Sequence, residues 1–97
     1  MNRTNTSARV SGEVIVAVTS GLSPVPAQQI ARLARRFACT ATIDNGRGGI
    51  ADAHSLFELL HLGAGVGERL TIRCVGADAQ AAYQGIADIL VGRGAST

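Results

Sequence analysis

Residues 68–75 read Glu-Arg-Leu-Thr-Ile-Arg-Cys-Val, and this stretch decides the fold. Leu70, Ile72 and Cys74 fall on one side of an extended chain, and Arg69, Thr71 and Arg73 on the other. Such strict alternation marks a strand with one face buried and one in water. Thr40–Asp44 repeats it, with Ala41 and Ile43 inward and Thr40, Thr42 and Asp44 outward. Strands with a wet face need helices on only one side of their sheet. The expected architecture is therefore a two-layer α+β sandwich with an antiparallel sheet.

The flanking segments supply the other elements. Glu13 to Thr19 (EVIVAVT) is a β-branched run, read as a strand, and Ser20-Gly21 breaks it. Ala27, Ile30, Ala31, Ala34 and Phe37 recur at helical spacing from Pro24 onward. Pro24 and Pro26 suit a first turn whose amides lack intrahelical partners, and Ser23 is the expected N-cap. Asn45-Gly46-Arg47-Gly48-Gly49 is a turn, followed by a short strand at Ile50–Ala53. Ser55-Leu56-Phe57-Glu58 reads as a capping box, with Ser55 the cap and Glu58 reaching back, and Gly63 ends that helix. Asp78 is the expected cap of a helix whose apolar stripe is Ala79, Ala82, Tyr83, Ile86, Ile89 and Leu90, ending at Gly92. The element order is βαββαβα, in one domain over residues 13–92 with tails at 1–12 and 93–97. Strand-helix-strand and hairpin units in this order have a ferredoxin-like character.

Composition excludes several chemistries. All nine basic residues among the 97 are arginines, so neither a Schiff-base lysine nor a lysine phosphate loop is available. Arg3 and Arg9 lie in the polar N-terminal stretch, and the remaining seven arginines balance seven acids, so no phosphate-tracking face for nucleic acid is implied. With Phe37, Phe57 and Tyr83 as the only aromatics, base-stacking platforms are not expected. Cys39 and Cys74 stand alone, giving no metal site and no disulfide framework, and read as small core residues in a reducing compartment. No cofactor is expected. The N-terminus carries no signal-peptide pattern and no window approaches a membrane span, so the expected setting is cytoplasmic.

One helix carries more apolar surface than a sheet-facing stripe needs. Leu56, Phe57, Leu59, Leu60 and Leu62 crowd two turns. Leu59 and Leu62 can serve the core, which leaves Leu56, Phe57 and Leu60 for a partner.

Three stretches in order then resemble the HPr family, the histidine-containing phosphocarriers of the bacterial sugar phosphotransferase system. Gly21-Leu22-Ser23-Pro24-Val25-Pro26-Ala27 stands where the family has Gly-Leu-His-x-Arg-Pro-Ala. His54-Ser55-Leu56-Phe57-Glu58-Leu59-Leu60-His61-Leu62-Gly63 is similar to the family's regulatory serine and following helix, and 66–78 to its last strand and third cap. The resemblance implies a four-stranded open-faced sandwich with three helices on one face. It also implies a histidine at the first helix's N-terminus that takes phosphate from enzyme I and passes it to enzyme II proteins.

At the decisive place this chain departs from the motif. Ser23 occupies the histidine position and Val25 the arginine position. A serine hydroxyl is a weak nucleophile without a base. Its phosphate ester would be a poor onward donor, and the site lacks the arginine fork. Pro24 and Pro26 have no amide hydrogens to offer an anion. No catalytic residue is therefore expected, and the chain is not expected to be an enzyme. His54 and His61 lie outside the family pocket. Ser55 matches the serine that HPr kinase modifies in many Gram-positive bacteria. Arg32, Arg35 and Arg36 on the first helix, and Leu56, Phe57 and Leu60 on the second, fall where the family contacts its partners. The resemblance thus implies a degenerate member that binds proteins, as the catabolite-repression HPr-like proteins do. Its expected partners are phosphotransferase components or a transcriptional regulator. The competing readings are a phosphocarrier using another acceptor, and an unrelated interaction or ligand-binding α+β domain.

Overall fold

The computed structural model describes residues 8–93; the parts of the expected tails at 1–7 and 94–97 lie outside the described residues. The elements run β1 (Arg9–Ile15), α1 (Pro24–Ala34), β2 (Cys39–Asp44), β3 (Ile50–Asp52), α2 (Leu56–Leu62), β4 (Arg69–Gly76) and α3 (Ala79–Leu90). The four strands form one antiparallel sheet in the order β1-β4-β2-β3. The expected βαββαβα sandwich is what the chain adopts.

The period-2 pattern sets the register. Val14 faces Leu70, Ile43 faces both Ile72 and Ala51, and Ala41 faces Cys74, so every inward residue meets another inward residue. A slip of one residue would turn this set into water. The opposite face stays open. It carries Arg73 paired with Asp44 at 3.0 Å and Arg69 near Glu13 at 3.7 Å.

The core is built from small and aliphatic side chains. Ile30 and Ala27 of α1, Leu59 of α2, and Ile86 and Leu90 of α3 are fully buried against Leu70, Ile72 and Ile43. No aromatic is fully buried among the described residues. The helices can therefore approach closely: a Cβ on Gly85 of α3 would come within 2.6 Å of Leu33 of α1. Phe37 and Tyr83 are only half-buried at the edge of this core.

Three boundaries and one cap differ from the sequence reading, each for a hydrogen-bonding reason. β1 starts at Arg9, inside the expected tail, because residues 9–12 pair with 72–75 of β4. It ends at Ile15, not Thr19, because the Ala17 and Val18 amides donate to the Leu90 carbonyl at the end of α3. α1 stops at Ala34, leaving Phe37 outside it, because Arg36 and Phe37 donate to carbonyls three residues back and tighten the last turn. Asp78 occupies the α3 cap position without a capping bond. Its carboxylate instead accepts the Ala38 N–H at 2.8 Å, while its own N–H donates to the Ala38 carbonyl, clamping the end of β4 to the start of β2.

Candidate functional site

The N-terminus of α1 is set by the chain just before it. Gly21 takes a left-handed φ of 64°, where a Cβ would come 3.0 Å from the Ala64 carbonyl oxygen. The buried Leu22 donates its N–H to that carbonyl at 2.8 Å. Ser23 is extended, and its backbone carbonyl accepts the Ala27 N–H at 3.0 Å. The expected side-chain cap is absent: the Ser23 hydroxyl makes no capping bond, and Pro26, third in the helix, has no N–H to offer it. Val25, beside it, is 65% exposed. This helix start holds a serine hydroxyl, an exposed valine and no acid.

The N-terminus of α2 is tied down by side-chain hydrogen bonds. Ser55 Oγ accepts the Glu58 N–H at 3.2 Å, as expected of the capping serine. The reciprocal half differs. Glu58 Oε1 accepts the Asp52 N–H at 2.8 Å, and the Ser55 N–H goes to the Asp52 carbonyl instead. Glu58 thereby covers an amide at the end of β3, a bond that draws on tertiary placement and not on spacing. The Asp52 carboxylate takes both the His54 N–H at 2.9 Å and His54 Nδ1 at 3.0 Å. The His54 amide holds the Asp52 carboxyl below the ordinary carboxylate range. His54 thus sits against Asp52, whose own N–H is bonded to Glu58. His61 is exposed in the last turn of α2.

Burial raises the pKa of both thiols and disfavours their thiolates. Cys74 is buried, and desolvation pushes it up to about 11. Cys39 is half-buried rather than fully in the core, and desolvation, with Asp78 second, also raises it.

The expected contact residues gather around α2. Arg32 of α1 and Arg35 at its C-terminal cap meet Leu56 of α2, with Gln28 and Ala31, around a notch of about 200 Å³. Arg36 is exposed just past the end of α1. None of these three arginines joins an ion pair among the described residues. Leu56 and Leu60 are half-buried against the core, whereas Phe57 is 85% exposed. The apolar surplus of α2 is therefore concentrated in one protruding ring. On the other flank of α2 lies a groove of about 820 Å³, walled by Asn45–Ile50 on one side and Phe57, Glu58, His61 and Leu62 on the other. Ile50 and Arg47 were not among the expected contact residues. The signal was present in β3, where inward Ala51 forces Ile50 onto an exposed side.

Residues 10–91 match the family model described as the PTS HPr component phosphorylation site. The chain belongs to the HPr family. A crystal structure of phosphocarrier HPr from Bacillus anthracis superposes with a TM-score of 0.80 at 30% identity, covering 86% of this chain and 98% of that one. The Bacillus subtilis catabolite-repression protein Crh, described as a swapped, intertwined dimer, gives 0.65 at 27% identity over 79% of this chain and 87% of its own. The histidine-containing phosphocarrier of a mycoplasma gives 0.76 at 24% identity, over 84% and 92%, a likeness of fold. Among curated proteins none matches the chain. The fold is that of the HPr phosphocarriers, and no helix among the described residues is long and apolar enough to cross a membrane.

Proposed function

We propose that this HPr-family chain works by docking to other proteins and does not carry phosphate at position 23. The observation that carries this reading is the first turn of α1, where Ser23 and Val25 stand in place of the motif histidine and arginine. A hydroxyl with no base on it does not take a phosphoryl group from phosphohistidine at a useful rate. The exposed Val25 offers no donor to stabilise the developing charge.

The docking half rests further along α1 and on the start of α2. Arg32 and Arg35 line a notch with Leu56, and Phe57, next along α2, is 85% exposed, with Leu60 half-buried in the same helix. An apolar anchor with an arginine rim is a composition that binds proteins. The proposed partners are cytoplasmic: enzyme I or an enzyme II protein of the phosphotransferase system, or a transcriptional regulator. Ser55 is the proposed regulatory site. A phosphate placed there by HPr kinase would displace its bond to the Glu58 N–H and add negative charge beside Leu56.

Capture by immobilised enzyme I, and separately by an HPr-binding regulator, tests the docking surface. Wild type is expected to be retained by at least one, with retention falling about tenfold for Phe57→Ala and for Arg32→Ala. Equal retention of wild type and both variants would remove the docking surface from the account.

A further inference from the structure

The groove between α2 and the β2–β3 turn differs in charge from the α1 face, and the difference selects its occupant. The α1 face carries Arg32, Arg35 and Arg36, a single sign that repels a second copy and attracts an acidic partner. The groove carries both signs on opposite walls: Arg47 on the turn and Glu58 on α2. Each wall also carries one large exposed apolar side chain, Ile50 at 60% and Phe57 at 85%. A two-fold axis places the turn wall of one molecule against the α2 wall of the other. Arg47 then meets Glu58, and Ile50 meets Phe57, twice over.

We propose that this groove is a self-association surface, and that two copies of the chain pair through it in a reversible, isologous dimer. The volume suits the arrangement, since about 820 Å³ accommodates a Phe57 ring entering from the partner molecule. Each charge is only partly engaged within the chain: Glu58 gives one carboxylate oxygen to the Asp52 amide at 2.8 Å and keeps the other. Arg47 gives one nitrogen to Glu68 at 2.9 Å and has further donors on a largely exposed side chain. Strand addition at the β3 edge is disfavoured, because Glu58 already covers the Asp52 amide. The pairing is therefore made by side chains. It is independent of the docking reading except that Phe57 belongs to both, so a chain paired in this way cannot dock.

Sedimentation of the wild-type chain from roughly 10 μM to roughly 1 mM, the range in which small interfaces associate, tests the proposal. The weight-average mass is expected to rise from 9.9 kDa toward twice that value and to return on dilution. Phe57→Asp and Ile50→Asp are each expected to weaken association about tenfold or more. Ile15→Asp, an equally exposed apolar side chain on β1 at the opposite edge of the sheet, is expected to leave it unchanged. Unaltered circular dichroism shows that each variant is folded. A monomer throughout overturns the proposal. So does a dimer that survives Phe57→Asp and Ile50→Asp, or one that does not dissociate on dilution, as expected of exchanged strands. A monomeric wild type still captured by enzyme I would leave the docking reading standing. A wild type that dimerises but fails every capture would do the reverse.

Discussion

α1 and α2 both begin at a serine, and the two starts have opposite characters. Ser55 is bonded to the Glu58 amide, and around it Asp52, His54 and Glu58 satisfy one another. Ser23 has no side-chain capping bond, two prolines in the turn it opens, and an exposed valine next to it. The first start is held together by its own side chains. The second is held by the backbone on either side, through Gly21, Leu22 and Ala64. On the proposed reading, the start of α1 keeps its position in the fold without the phosphoryl chemistry, and the surface of α2 carries the binding.

The strongest way to break this comparison is to give α1 back what it lacks. The triple variant Ser23→His, Pro24→Ala, Val25→Arg restores the ring, one amide hydrogen and the guanidinium fork. It is expected to take acid-labile phosphate from enzyme I and phosphoenolpyruvate where the wild type takes none, read by intact-mass spectrometry at neutral pH. A triple variant that folds yet stays unmodified would mean that more than this turn has been lost.

Next in size is the anchoring of α2. Leu59 is fully buried and Phe57 protrudes, so Leu59→Ala is expected to cost about 3 kcal/mol in urea unfolding, and Phe57→Ala less than about 0.5 kcal/mol. Comparable losses would mean that Phe57 is a packing residue and not a contact residue.

The two serines sharpen the comparison directly. Ser55→Ala is expected to cost about 1 kcal/mol and Ser23→Ala a few tenths at most, measured in the same unfolding experiment. Equal costs would erase the distinction between the two starts.

The smallest effect is in acid. Backbone amides of Gly46, His54 and Gly65 hold the carboxyls of Asp44, Asp52 and Glu68 below their ordinary values. A carboxyl with a lowered folded pKa binds fewer protons folded than unfolded. Its stabilisation is therefore complete above the unfolded value near about pH 4 and is lost as pH falls through the lower folded value. Stability is expected to drop between neutral and about pH 3, and to drop less in Asp52→Asn, which has one such group fewer. An unchanged acid dependence in Asp52→Asn would show that the α2 start is not held by this carboxylate.

Much of this was legible in residue order. β4 and β2 announced the open-faced sheet through alternation, α3 through its stripe, and the Gly63 stop through the left-handed conformation it adopts. What was not legible depends on groups distant in sequence. Asp78 looks like a helix cap until Ala38, 40 residues away, is brought beside it. Val16–Thr19 continues the β-branched pattern of β1; the Val16 amide still reaches the Glu68 carbonyl, and the Leu90 carbonyl draws the Ala17 and Val18 amides away. Ser23 reads as a cap because serine usually is one; its hydroxyl makes no capping bond, and Pro26 takes away one of the two amides it would bind. The groove beside Phe57 exists only because α2 lies across from the Asn45–Ile50 turn.

One measurement bears most directly on the central claim. The wild-type chain and a competent HPr are incubated in one vessel with enzyme I and phosphoenolpyruvate, and both are weighed intact at neutral pH. The account predicts that HPr gains one phosphoryl group while this chain keeps its unmodified mass. A phosphoryl group on this chain that is lost in acid and can be passed on to an enzyme II protein would contradict it.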